Sequence, residues 1–152
     1  MPPSSVKARM IVDDPSEFNT WSLLPRIGYE RMFRFADPLN YTPAREDSVA
    51  AIAQRQGRTP QDVAYDMLIE DGGRNFIFAC IVNYANYDLE AVRAMYAEEH
   101  VMPGLSDGGA HVAFISDASF PTFVLSYWGR DRADGRMSIP DLVRRQTKVP
   151  AQ

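Results

Sequence analysis

The chain of 152 residues is poor in the side chains that most often build crosslinks and metal centres: it has one cysteine, Cys80, and two histidines, His100 and His111. A single thiol excludes an intramolecular disulfide, and with no secretory signal ahead of it a reducing cytoplasm is the expected compartment. A hydrolytic metal site takes about three or four protein ligands from His, carboxylate or Cys. There is no His-x-His pair, and neither histidine has another three or four residues away. No apolar run approaches the roughly 18 residues of a membrane span. An excess of positive charge is also missing: 16 Lys and Arg stand against 20 Asp and Glu, for a net charge of -4. That balance, without a Lys/Arg cluster, argues against a nucleic-acid or anionic-membrane partner.

What is present suits a globular domain. Hydrophobic residues make up 45% and charged residues 24%, enough for one sizeable core. No internal repeat or low-complexity tract interrupts it. Residues 1–20 are polar and punctuated by Pro2, Pro3 and Pro15, which predicts a poorly ordered lead-in or a short helix around Val6 to Ile11. Residues 21–152 are expected to form the folded part.

From Tyr29 to Phe35 apolar and polar residues alternate, which predicts a strand. Thr42 and Pro43 suit the N-cap and first position of a helix carrying Val49, Ile52 and Ala53, with Gly57 just past its end. Thr59 and Pro60 open a second helix, whose Val63, Ala64, Met67 and Leu68 form an apolar stripe. The run from Phe76 to Val82 is apolar without alternation, as in a strand of a parallel sheet covered on both faces. Cys80 lies inside it and reads as a buried small hydrophobe. Asp88 then caps a helix with Leu89, Val92, Met95 and Tyr96 facing inward, ending near His100, which suits a helix C-terminus. A strand follows over Val101 to Ser106. Later, Ser119 caps a helix through Phe123, Val124, Tyr127 and Trp128, with Trp128 read as packing. Gly135 breaks it, and Ser138 to Asp141 begin a last helix carrying Leu142 and Val143. Strand, two helices, strand, helix, strand predicts an α/β unit with parallel strands and right-handed crossovers.

The stretch Gly104-Leu105-Ser106-Asp107-Gly108-Gly109-Ala110-His111 sets one carboxylate between glycines at a strand end. Glycines leave room for a ligand and a strand terminus holds the side chain still; the same residues also make an ordinary Asx turn. Together with Asp117-Ala118-Ser119, Pro121-Thr122 and Trp128-Gly129-Arg130-Asp131-Arg132, this stretch resembles the N-acyl-D-amino-acid deacylase branch of the amidohydrolases. The resemblance extends upstream through Asn83-Tyr84 and the helix from Pro60 to Asp66, and downstream through Val143 to Thr147.

That resemblance implies the last few βα units of a metal-dependent hydrolase barrel of the TIM type. A whole barrel needs about 200 residues or more, so the chain is expected to hold it incompletely. It implies metal-assisted hydrolysis of the amide bond of a small N-acyl amino acid, with Asp107 as proton shuttle and metal-associated carboxylate. Ser106, Gly108, Gly109 and His111 are then the substrate-contacting surroundings. Zinc is the implied cofactor, with most of its ligands outside this chain. The expected partner is the remainder of the barrel or another copy of the chain, and activity is expected to require the part supplying the histidines. The alternative is a non-catalytic, free-standing or dimerising α/β domain descended from such an enzyme. Arg130 and Arg132 read as a solvated helix end, with pairing to a substrate carboxylate as the alternative.

Overall fold

A computed structural model describes Lys7, residues 27–104, Gly108 and residues 117–152. The chain is mixed α/β and splits into two compact units, one up to Val92 and one from Arg93 onward.

In the first unit a 3-10 turn at Tyr29–Arg31 leads into strand β1, Met32–Arg34. Helix α1, Val49–Gln56, starts where Ser48 Oγ accepts the Ala51 N–H at 3.2 Å. It stops at Gly57, which takes the left-handed conformation with φ 62° that glycine enters without a Cβ penalty. Helix α2, Pro60–Gly73, begins three residues later. Thr59 Oγ1 accepts the Asp62 N–H at 3.2 Å, and Pro60 fills the first turn, where its missing N–H costs nothing. Regular helical geometry ends before Glu70, and Asp71 and Gly72 are left-handed. Strand β2, Ile77–Ala79, then pairs with β1 in the register Met32 to Ala79, Phe33 to Phe78 and Arg34 to Ile77.

The two-residue period of the strands divides their side chains between two layers. Met32, Ile77 and Ala79 face the helical hairpin, joining Val49, Ala53, Val63, Ala64 and Met67 in the core of this unit. On the other face Phe33, 2% exposed, meets Tyr87 edge to face at 6.1 Å, and Phe78 meets Tyr41 and Tyr84 in the same way.

Helix α3, Glu90–Ala97, follows Asp88, whose carboxylate accepts the Glu90 N–H at 3.0 Å. In the second unit a 3-10 turn at Asp117–Ser119 leads into α4, Phe120–Phe123, which continues as a π-helix over Val124–Asp131. Helix α5, Ile139–Gln146, packs on that π-helix. Gly129 permits the approach, because a Cβ there would stand 2.8 Å from Ile139 Cγ1. Val124, Trp128 and Leu142 are almost wholly buried, and Tyr96 packs edge-on against Trp128 at 5.8 Å. Trp128 is thus a core residue, as its spacing from Val124 predicts.

Several expectations are corrected. The two strands run antiparallel, where a parallel arrangement was expected. Two helices lie between them, so the chain reverses direction once more than in a βαβ unit. The first helix starts at Val49, not near Pro43: Ser48 provides the cap, while Thr42 N–H turns back to Asn40 Oδ1 at 3.0 Å. Residues 101–104 form no strand, and the rest of the segment expected as the third strand, Leu105 and Ser106, lies outside the described residues. Leu68 and Met95, expected inside, are more than 40% exposed.

Candidate active site

The residues leading into the glycine-rich stretch are tethered from α5. Arg145, with its side chain 11% exposed, donates through Nη1 to the carbonyls of Glu98 at 3.0 Å and Val101 at 3.2 Å. Its Nε donates to Asp141 at 2.8 Å. The planar guanidinium can serve a carboxylate and two carbonyls at once because its donors are fixed in a fork. The hydrogen bond from Arg145, followed by that from Arg144, lowers the Asp141 pKa from the usual carboxylate range.

Beyond that tether the two described glycines of the stretch differ. Gly104 has open space where a Cβ would project. Gly108 is seated against the start of the 3-10 turn before α4, so a Cβ there would fall 2.8 Å from Ala118 Cβ and 2.9 Å from Ala118 N. Gly108 and Ala118, two residues in separate parts of the motif that carries the family resemblance, therefore lie against each other. Ser106, Asp107, Gly109 and His111 lie outside the described residues, and so do the zinc contacts expected of Asp107. Among the described residues no three of His, Cys, Asp and Glu come together as metal ligands. His100 is exposed. Among the described residues no helix is long and apolar enough to cross a membrane.

The arginines after Trp128 are occupied locally. Arg130 Nη2 donates to Asp131 at 3.1 Å, and the Arg132 guanidinium lies 4.7 Å from the Trp128 ring centroid. Cys80 is 2% exposed, and burial pushes its thiol up to about 11. It is therefore protonated at neutral pH and a poor nucleophile.

A hollow of about 560 Å³ opens beyond the end of β2, between Ile27 and Arg31 on one side and residues 81–85 on the other. Arg31 carries no signal of a role in the sequence, where it is one charged residue in the alternating run from Tyr29 to Phe35. The structure instead leaves it half-buried, its Nη1 donating to the Tyr84 carbonyl at 2.9 Å. A second hollow, of about 510 Å³, lies between residues 42–45 and 85–88. It borders Tyr87, whose ring faces Arg45 at 5.5 Å.

No protein-family model matches the chain, and no solved structure matches it. Uncharacterized proteins of Mycobacterium tuberculosis, strains H37Rv and CDC 1551, and of Mycobacterium bovis are each 35% identical to it over 95 residues. The matched region is 62% of this chain and 15% of each relative, so the chain spans about 15% of the length of the curated relatives it matches.

Proposed function

We propose that the chain is a segment of a longer amidohydrolase of the N-acyl-D-amino-acid deacylase kind, to which it contributes the Asp107 carboxylate. The reaction is hydrolysis of an amide: water adds to the acyl carbon, the C–N bond breaks, and a carboxylic acid and a free amino acid leave. In this reading Asp107 takes a proton from the attacking water and returns it to the departing nitrogen, so one group acts as base and then as acid. Zinc belongs to the proposal through the family resemblance alone. The described residues do not fit it, so the step assigned to this chain is proton transfer.

The observation that carries the reading is the seating of Gly108 on Ala118. It places one residue from each half of the resemblance, Gly108 beside Asp107 in the sequence and Ala118 from Asp117-Ala118-Ser119, against each other. Relatives of which this chain spans 15% support placing it within a larger polypeptide. The barrel part of this reading rests on the family resemblance alone: the described strands are the antiparallel pair β1–β2, and residues 101–104 form no strand.

The test is Asp107→Asn in the longer polypeptide, with amine release from N-acetyl-D-amino acids measured beside thermal unfolding. Asparagine keeps the size and most turn hydrogen bonds but removes the base. Turnover should fall by at least about 100-fold with the unfolding temperature unchanged. Near-normal turnover would leave Asp107 as a turn residue only.

A further inference from the structure

Ile81 and Val82, 65% and 66% exposed, are adjacent branched aliphatic residues that follow the buried Cys80 at the end of the half-buried strand β2. They form one wall of the 560 Å³ hollow, and Ile27 and Arg31 form the other. Exposed aliphatics grouped around a concavity are a stronger pointer to a ligand than the same residues scattered over a surface. Arg31 gives the hollow its sign. It is half-buried, and among the described residues no carboxylate pairs with it. Of its five N–H donors one goes to the Tyr84 carbonyl, which holds the guanidinium in place. Its carbon lies 6.0 Å from the Tyr87 ring centroid. Asn83, held at φ 65°, adds an amide to the rim.

We infer that this hollow is a binding site for a small aliphatic monocarboxylate, its carboxylate on Arg31 and its branched chain against Ile27, Ile81 and Val82. A planar guanidinium pairs with a carboxylate through two parallel N–H···O bonds, and does so most strongly where water is partly excluded. The aliphatic wall rejects a strongly hydrated anion such as sulfate, which would lose water without gaining donors. This inference stands apart from the deacylase reading. It concerns residues 27–85 and is read as binding, without turnover.

The probes are 4-methylpentanoate and its uncharged amide, 4-methylpentanamide, titrated into the full chain and followed by amide chemical shifts. The acid should give saturable shifts centred on Arg31 and residues 81–84, and the amide should bind at least about tenfold more weakly, a difference of about 1.4 kcal/mol. Val82→Asp, at an exposed position that folding does not need, should abolish binding of the acid by repulsion. Arg31→Met, which keeps the aliphatic stem, should bring the acid down to the level of the amide. Equal binding of acid and amide, shifts centred elsewhere, or an Ile81–Val82 wall found covered by a second copy in gel filtration would each overturn the inference. If Arg31→Met does not fold, the native comparison of acid with amide and the Val82→Asp result decide it.

Discussion

The Cβ position of Gly108 lies 2.8 Å from Ala118 Cβ, while that of Gly104, four residues earlier, meets nothing within 4 Å. Both glycines belong to one motif, and nothing in their spacing tells them apart. The structure predicts opposite outcomes for the same substitution. Gly108→Ala should force the backbone of the 3-10 turn to move and cost about 1–3 kcal/mol, the usual range for overpacking. Gly104→Ala should change stability by no more than about 0.5 kcal/mol. Denaturant unfolding of the two variants checks this, and equal losses would show that Gly108 is not seated as described.

Arg145 links the last helix to the backbone that enters the glycine-rich stretch. Arg145→Met keeps the aliphatic stem but leaves the Glu98 and Val101 carbonyls without their shared donor. Loss of charge-assisted bonds of this kind costs about 1.5–3 kcal/mol. The expected local sign is faster amide hydrogen exchange across residues 98–104, with the α1–α2 core unaffected because it lies in the other unit. Uniform exchange across both units would contradict this.

Stability should fall off at both ends of the pH scale through one cluster. Lys7 Nζ sits 2.8 Å from Asp66 and 3.0 Å from Asp62. Its pKa is raised, chiefly by the hydrogen bond to Asp66. Asp66 is lowered chiefly by the hydrogen bond from Lys7, and Asp62 by that from Thr59 and then Lys7. A lowered carboxylate stabilises the fold above its unfolded pKa of about 3.9 and loses that contribution as pH falls through its folded value. A raised lysine stabilises below about 10.4 and loses the contribution as pH rises through its folded value. Lys7→Met should therefore lower Tm by a small amount between about pH 5 and pH 10, and the gap from the native chain should close on either side of that window. A gap that did not change with pH would assign Lys7 a packing role.

Local chemistry was readable in the sequence where one residue decides the outcome. Thr59 and Pro60 start a helix, Gly57 ends one, and Trp128 shares a buried face with Val124, because caps and helical spacing act over a few residues. Strand direction was not readable. The apolar run from Phe76 to Val82 satisfied the pattern of a parallel strand, but its paired strand Ile77–Ala79 has β1 as neighbour in the opposite sense. Direction depends on how many reversals separate two strands, which is a property of the whole connection. Ser48 is not distinguishable as the cap in the sequence because Thr42-Pro43 makes the same local signal, and only tertiary packing of Val49 separates them. Of the candidate site, the steric need for glycine at position 108 was not legible, because the sequence treats Gly104 and Gly108 alike and only the contact with Ala118 separates them. Nor was Arg31, since no periodicity records that a charged side chain will line a hollow.

Gly57 and Thr59 stand two residues apart, one closing α1 and the other opening α2, so the helices that carry most of the first core are joined by almost no loop. Closing so short a connection sacrifices little chain entropy, whereas bringing Met32 to Ala79 requires a loop of more than forty residues to be gathered first. The order of events during folding follows: the helical hairpin should form in the transition state, and the strands should be laid onto it afterwards. Truncations at Ala53 and Met67 should slow folding, giving φ-values above about 0.5, while those at Met32 and Ile77 should act mainly by speeding unfolding. The reverse pattern would place the sheet first.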